Sequence, residues 1–210
     1  MQRYDDLPQI LLWTPYSKGQ LAMGLSDFLT KHGDSKNTTL TAPQRLYYIN
    51  AVNSFPLEEF KKLVPLNVAA NKPVYDNIMI HQVLNISELS KTVAKIIETT
   101  DQRIKTGEGQ IQHDNTKTDS SKVLIVISGI DIMFQNSNMS DTSQTHNLLN
   151  STLLQLRLRA NSRHKSFKTV ILSRDQARTG SSLGPSQKRT KHDGNSVYQY
   201  ISKYYADYAL

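Results

Sequence analysis

Residues 122–134, with the sequence KVLIVISGIDIMF, decide the fold. Residues 123–127 form the longest unbroken apolar run in the chain, and Ser128 and Gly129 end it. Such a run of β-branched and aliphatic residues is typical of a strand buried on both faces, which belongs in a parallel sheet covered by helices. A buried helix segment is the alternative, but the short length and the terminal glycine favour a central strand.

Other short apolar runs alternate with segments of helical periodicity, which predicts an α/β fold with a mostly parallel sheet flanked by helices. Strands are expected at residues 10–13, 46–52, 78–80 and 167–172. Helices are expected after Ser17, from Pro56 with an apolar face of Leu57, Phe60, Leu63 and Val64, from Asn85 or Ser87, over 142–160, and after Ser196. The tail of 142–160 also alternates with period two, as a strand would. A length of 210 residues fits one domain, residues 1–210.

Two polar, glycine-containing segments interrupt this pattern, residues 99–121 and 174–194. The first has Ile104 and Ile111 as its only aliphatic residues and is expected to be a mobile insertion, because it can bury little apolar surface. Residues 67–73 are expected to form a loop.

The composition excludes several classes of protein. The chain has no cysteine, so disulfides, thiolate zinc sites and cysteine nucleophiles are excluded. Its N-terminal residues lack an apolar signal core, and no apolar run approaches the roughly 20 residues that span a bilayer. We therefore expect a soluble intracellular protein without a membrane partner.

The net charge of +7 is concentrated in one part of the chain. Residues 157–191 contain ten basic residues and one acid, Asp175, a net charge of +9, whereas the remainder has fifteen basic and seventeen acidic residues, a net charge of −2. Concentrated positive charge is typical of a surface that binds a polyanion, most often nucleic acid. A solvated basic face or a nuclear-import signal is the alternative.

A phosphate-binding loop would lie in the turn after the first strand. Its sequence, TPYSKGQ at residues 14–20, has one late glycine, a proline that removes a backbone N–H, and no Gly-Lys-Ser/Thr. The central strand ends in Ser128 instead of a metal-binding aspartate, and Asp131 comes three residues later. Lys18 and Asp131 can be interpreted as the remnant of a nucleotide site. The simpler interpretation is that both are surface polar residues. These features argue against ATP hydrolysis.

The sequence offers no other catalytic pattern. The six histidines are scattered without metal-ligand spacing, no Gly-x-Ser-x-Gly motif is present, and no carboxylate pair stands out. We predict that the chain is not an enzyme and has no metal site and no cofactor.

The segment 174–194, RDQARTGSSLGPSQKRTKHDG, is the better candidate for a functional site. Basic residues among Gly, Ser and Pro can follow a phosphate backbone without reading bases. The DNA-binding candidates are Arg174, Arg178, Lys188, Arg189 and Lys191. Nuclear import or mere solubility is the alternative, and DNA binding and import can coexist.

The order of elements resembles the ATPase core of RecA-like strand-exchange recombinases, with the central strand where their metal-aspartate strand lies and residues 174–194 where their second DNA-binding loop lies. More narrowly, the chain resembles the chromosome segregation in meiosis protein 2 family of yeast Shu-complex subunits. The matching stretches are NSFPLEEFKKLVP at 53–65, VLIVISGIDIMFQNS at 123–137, LLNSTLLQLR at 148–157 and SKYYAD at 202–207.

This resemblance implies a RecA-like subunit without its own nucleotide site. It would pair with a RecA-like partner subunit and bind forked or single-stranded DNA. The pair would help recombinase and its paralogue mediators in homologous recombination, error-free damage tolerance and meiosis. Its expected location is the nucleus and also the cytoplasm. The basic cluster of the family falls on Gln187, Lys188, Arg189 and Thr190 here, with Lys191 just beyond. Since two of these places are uncharged, the patch is expected to be weaker or shifted towards Lys191 and Arg178.

Phe55 is a candidate partner-binding residue. Because it precedes Pro56 at the start of a predicted helix, it can pack onto Phe60 or its neighbours as a hydrophobic staple. An exposed aromatic residue at this place would instead be a plausible anchor for a partner protein. The staple is the favoured interpretation.

Overall fold

The computed structural model describes residues 7–15, 17–30, 44–105, 122–138, 142–161, 167–173 and 195–209. The strands are β1 (Ile10–Trp13), β2 (Arg45–Asn50), β3 (Ile78–Gln82), β4 (Val123–Ser128), β5 (Phe167–Leu172) and β6 (Tyr208–Ala209). The helices are α1 (Lys18–Thr30), α2 (Leu57–Leu63), α3 (Lys72–Asp76), α4 (Ile86–Lys105), α5 (Ile130–Asn138), α6 (Thr142–Ala160) and α7 (Asn195–Tyr204), and a 3-10 turn spans Ala69–Asn71.

The six strands form one sheet in the order β3-β2-β4-β5-β1-β6, and every neighbouring pair is parallel. The predicted central strand β4 lies between β2 and β5, and all six of its residues are buried. The α/β fold is therefore confirmed, and this arrangement is consistent with a RecA-like domain.

Each face of the sheet has its own apolar core, because alternate residues of a strand point to opposite faces. Val123, Ile125 and Ile127 of β4 pack with α4, α5, α6 and α7. Leu124 and Val126 pack on the other face with α1 and α2. The two helical layers explain why β4 is apolar at consecutive positions.

Several predicted helices are confirmed, together with the groups that start them. The Ser17 hydroxyl accepts a hydrogen bond from the N–H of Gln20 (3.1 Å) at the start of α1. Asn85, one of the two predicted starts of α4, accepts from the N–H of Glu88 (2.9 Å), whose carboxylate in turn accepts from the N–H of Leu84 (2.8 Å). This arrangement resembles a capping box, except that the carboxylate binds the N–H of the residue before the N-cap.

Helix α6 covers the whole of the predicted segment 142–160, including its period-two tail. Its apolar residues Leu149, Leu153, Leu156 and Ala160, which recur at helical spacing, are buried. The helical interpretation of this tail is therefore confirmed.

Other expectations were wrong. The mobile insertion was expected from residue 99, but α4 continues to Lys105, and Thr100 is buried with its hydroxyl donating to the carbonyl of Ile96 (2.8 Å). Residues 106–121 lie outside the described part of the chain. The expected loop 67–73 contains the 3-10 turn and the start of α3.

Two helix starts differ from the prediction, that of α2 by one residue and that of α7 by two. Helix α2 begins at Leu57, with Pro56 as its N-cap, and α7 begins at Asn195 instead of after Ser196. The predicted face of α2 is also narrower, since Leu57 and Leu63 are exposed while Phe60 is fully buried. No helix in the described ranges is long and apolar enough to span a membrane.

Candidate functional site: the carboxyl edge of the sheet

In open parallel sheets, ligands bind beyond the carboxyl ends of the strands. In this protein, that edge includes the ends of β1, β2, β4 and β5, in the order β2-β4-β5-β1. Asn50, Ser128 and Leu172 lie side by side there, because Asn50 and Leu172 are both in register with Ser128. Ser173, which follows β5 and precedes the segment 174–194, lies at this edge.

Ser128 occupies the place of the metal aspartate in the resemblance to recombinases, and it is 7% exposed. Its hydroxyl accepts a hydrogen bond from the Ser54 hydroxyl (3.0 Å), and the Tyr48 hydroxyl lies 3.2 Å from the same Ser54 oxygen. Burial raises the pKa of Tyr48, while hydrogen bonds with Ser54 and Ser128 lower it by less. The end of β4 is thus bordered by neutral hydroxyl groups that hydrogen-bond to one another.

Gly129 connects β4 to α5 in a left-handed backbone conformation, with φ of +79°. A Cβ atom at this position would lie 3.1 Å from the Cβ of Ala51. The glycine therefore permits both the turn and the close approach of the loop after β2. Carbonyl 129 then accepts hydrogen bonds from the N–H groups of Ile132 and Met133, both 3.1 Å, which start α5.

Asp131 is not the surface residue that the sequence predicted, since it is only 6% exposed. Its carboxylate accepts a hydrogen bond of 2.8 Å from the hydroxyl of Tyr198, in the first turns of α7. Lys18 is exposed at the start of α1, as expected of a surface residue. Asp131 is buried because a residue far away in sequence supplies its donor.

The loop after β1 is attached to the end of β5. The hydroxyls of Thr14 and Ser173 are hydrogen-bonded to each other, and the N–H of Ser173 donates to the carbonyl of Trp13 (2.9 Å). This pair of contacts fixes the point at which the segment 174–194 begins.

The DNA-binding candidates Arg174, Arg178, Lys188, Arg189 and Lys191 lie outside the described residues. The structure gives the two points where their segment joins the fold. It begins after Ser173, one residue beyond the level of Ser128, and it ends at Asn195, where α7 starts and Tyr198 reaches Asp131. Ser173 thus follows the strand next to β4, and Tyr198, three residues after Asn195, bonds to the helix that follows β4.

Phe55 is half-buried and its ring packs on two aromatic rings. The centroid of Tyr48 lies 5.2 Å away in an edge-to-face arrangement, and that of Phe60 lies 5.9 Å away. The contact with Phe60 is the one expected of the hydrophobic staple. The partner-binding role of Phe55 stays a prediction.

Sequence reasoning missed Ser54 and Tyr198 as members of this edge. Ser54 is a short polar residue in a turn, and nothing in its neighbours indicates a partner 74 residues away. One signal could have helped, because Ile130, Met133 and Phe134 follow Gly129 at helical spacing. A helix predicted there would have placed Asp131 in its first turn. Among the described residues, no group of three or more His, Cys, Asp or Glu side chains could hold a metal ion.

Comparison with known proteins identifies the family. A family model described as Shu complex component Csm2, DNA-binding, matches residues 10–206. Chromosome segregation in meiosis protein 2 of Saccharomyces cerevisiae is 32% identical, and the alignment covers 97% of this chain and 97% of that protein. The protein of the same name from Candida glabrata is 31% identical, over 98% of this chain and 97% of that protein. The one from Kluyveromyces lactis is 26% identical, over 77% of this chain and 88% of that protein. The chain belongs to the Csm2 family.

Proposed function

We propose that this chain is a non-catalytic DNA-binding subunit of the Shu complex that promotes homologous recombination by aiding recombinase filament assembly. It pairs with a RecA-like partner subunit, binds forked or single-stranded DNA, and contributes to error-free damage tolerance and meiotic chromosome segregation. It acts with recombinase and its paralogue mediators, in the nucleus and also the cytoplasm. Family membership supports the DNA-binding part of this proposal.

One observation carries the proposal. The most basic segment of the chain joins the described fold at Ser173, after β5, and at Asn195, in the helix whose Tyr198 bonds to Asp131 just after β4. The carboxyl edge is where an α/β sheet presents its ligand-binding loops. A segment with five candidate cations whose first residue follows this edge can follow a phosphate backbone.

The end of β4 supports the non-catalytic part. A magnesium-dependent ATPase holds its metal with a carboxylate near this position. Here Ser128 presents a hydroxyl that is engaged by Ser54, and the next carboxylate, that of Asp131, accepts a hydrogen bond from Tyr198. Both side chains are therefore engaged in hydrogen bonds within the described part of the fold.

The test is a DNA-binding titration of the heterodimer with Lys188→Ala, Arg189→Ala and Lys191→Ala combined. We expect a Kd for single-stranded DNA at least about tenfold higher, since three phosphate contacts are removed. A matched variant with Lys91→Ala, Lys95→Ala and Lys203→Ala removes the same charge from exposed positions on α4 and α7, and its affinity should change much less.

The same triple variant separates DNA binding from the alternative of a structural scaffold whose basic segment serves nuclear import. Normal DNA affinity with reduced nuclear entry would contradict the proposed DNA-binding role. Reduced affinity with the partner still bound would support it.

A further inference from the structure

Two exposed tyrosine rings lie at the end of α7 and on β6. Tyr204 is 55% exposed and Tyr208 is 61% exposed. The other Phe, Trp and Tyr side chains in the described ranges are buried or half-buried. A ring that is not covered by the core has an open face, and an open aromatic face is what a nucleic-acid base stacks on.

The ring of Tyr204 is supported from the core. Its centroid lies 5.0 Å from that of Tyr200, whose hydroxyl donates to the side-chain oxygen of Asn150 on α6 (2.6 Å). The centroid of Tyr200 lies 6.0 Å from that of His146, which in turn lies 4.8 Å from that of buried Phe134. A row of packed aromatic rings therefore runs from the core to the surface, and Tyr204 is its last, exposed member.

The backbone that carries Tyr208 is also well fixed. The residue before it, Asp207, donates its N–H to the carbonyl of Ile10 (2.9 Å), and its carboxylate accepts from the N–H of Ile10 (3.0 Å). The other carboxylate oxygen bonds to the guanidinium of Arg157 (2.8 Å). Tyr208 itself is in register with Leu11 of β1. A ring on such a backbone is positioned before a ligand arrives, which lowers the ordering cost of binding.

The surface around the two rings offers stacking and little charge. The charges of Arg157 and Asp207 offset each other in their ion pair. Lys203 is the one cation of α7 and β6, and its ammonium lies 5.1 Å from the ring centroid of Tyr204. The segment 174–194 has the opposite composition, with five candidate cations and no Phe, Trp or Tyr. Proteins that bind single strands combine both kinds of contact, cations for the phosphates and aromatic rings for the bases.

We propose that Tyr204 and Tyr208 form a stacking site for the unpaired bases of single-stranded nucleic acid. The inference rests on the proposed function, because it adds base contacts to the phosphate contacts assigned to the segment 174–194. Each stacked base contributes a factor of about five to a hundred in affinity, and any base can stack because every base has a π face. Family membership supports DNA as the strand that is bound.

The test is a titration of the heterodimer with oligothymidine and with a strand of the same length that lacks the bases. The leucine variant, Tyr204→Leu and Tyr208→Leu combined, removes both rings and keeps apolar side chains. We expect its Kd for oligothymidine to rise at least about fivefold, whereas its Kd for the strand without bases should change less than about twofold. The matched phenylalanine variant, Tyr204→Phe and Tyr208→Phe combined, keeps both rings and should bind oligothymidine within about twofold of the native chain.

Three further measurements separate stacking from other roles. The slope of log K against log salt should be the same in the leucine variant as in the native chain, because no charge is removed. The melting temperature should stay close to native, because both side chains are more than half exposed. Capture of the partner subunit should be unchanged.

An unchanged Kd of the leucine variant for oligothymidine would overturn the inference. So would an equal loss of affinity in the phenylalanine variant, or an equal loss on the strand without bases. Lost capture of the partner subunit with an unchanged melting curve would also overturn it, and would identify the two tyrosines as a protein contact.

The triple variant at Lys188, Arg189 and Lys191 is measured in the same assay. If it binds DNA normally while the leucine variant binds weakly, the DNA-binding role of the basic segment fails and the stacking site stands. If it binds weakly while the leucine variant binds normally, the stacking site alone fails.

Discussion

The Ser54 hydroxyl donates a hydrogen bond of 3.0 Å to the hydroxyl of Ser128 at the carboxyl end of the central strand. This bond joins the loop after β2 to the end of β4, 74 positions further along the chain. Both groups are neutral, and Ser128 is almost fully buried. The end of the central strand therefore presents a hydroxyl that is already hydrogen-bonded within the fold.

The first prediction concerns Ser128→Asp. A carboxylate at this buried position loses water, and two hydroxyl neighbours compensate only part of that loss, so unfolding free energy should fall by about 1–3 kcal/mol. Urea unfolding measures the change. Ser128→Ala, which removes one hydrogen bond without adding charge, should cost about 1 kcal/mol or less. Equal stability of the native protein and Ser128→Asp would contradict the account of this edge.

Gly129→Ala is expected to destabilise the protein by about 1–2 kcal/mol, because alanine disfavours the left-handed conformation. Its Cβ would also lie 3.1 Å from that of Ala51. The matched control is Gly19→Ala in α1, where the nearest atom to the added Cβ is the Ser17 oxygen at 3.7 Å. That change should be neutral or stabilise by up to about 1 kcal/mol, since alanine favours helix. A larger loss at Gly19 than at Gly129 in thermal unfolding would refute this prediction.

His81 should make stability depend on pH. Its pKa is lowered from the ordinary value of 6.5, mainly by burial and then by the positive charge of Lys95. The unfolded chain then takes up a proton at higher pH than the folded chain does. The stabilisation is therefore complete above pH 6.5 and is lost as pH falls below it.

His81→Phe, which keeps a ring beside Tyr47, removes this titration. Its unfolding free energy should fall less than that of the native protein between about pH 7.5 and about pH 5.5. Urea unfolding at both pH values gives the comparison. The same loss in both proteins would show that His81 is not responsible.

Phe55→Ala should lower the free energy of unfolding by about 1–3 kcal/mol, because the half-buried ring loses its contacts with Tyr48 and Phe60. Phe55→Leu keeps part of the packing and should cost less. If Phe55 acts only as a staple, capture of partner subunits falls in proportion to the folded fraction and no further. Lost capture with an unchanged melting curve would instead identify Phe55 as a partner anchor.

The parts of the fold that sequence could predict are those with local signals. Each signal lies within a few residues of the element that it predicts. These signals are the apolar run of β4, the serine before α1 and the Asn85 cap of α4. Helix α5 was missed because residues 130–138 were assigned to no element, although Ile130, Met133 and Phe134 follow Gly129 at helical spacing.

The parts that sequence could not predict depend on distant partners. From the sequence, Asp131 was predicted to be a surface residue. In the structure it is buried, because Tyr198, 67 positions away, supplies a buried hydrogen-bond donor. Thr100 was assigned to an insertion, yet it lies within α4, which packs on α6. The basic segment was found by its charge, and the structure adds the two residues at which it joins the fold, Ser173 after β5 and Asn195 at the start of α7.

The most direct test of the central claim is the salt dependence of DNA binding. The Kd of the heterodimer for single-stranded DNA is measured over a range of salt concentrations, for the native chain and for Lys188→Ala, Arg189→Ala, Lys191→Ala combined. Each lost phosphate contact lowers the slope of log K against log salt by about 0.7, so the slope should fall by up to about 2 and the affinity should drop. Unchanged affinity and unchanged slope would contradict the claim that this segment binds DNA.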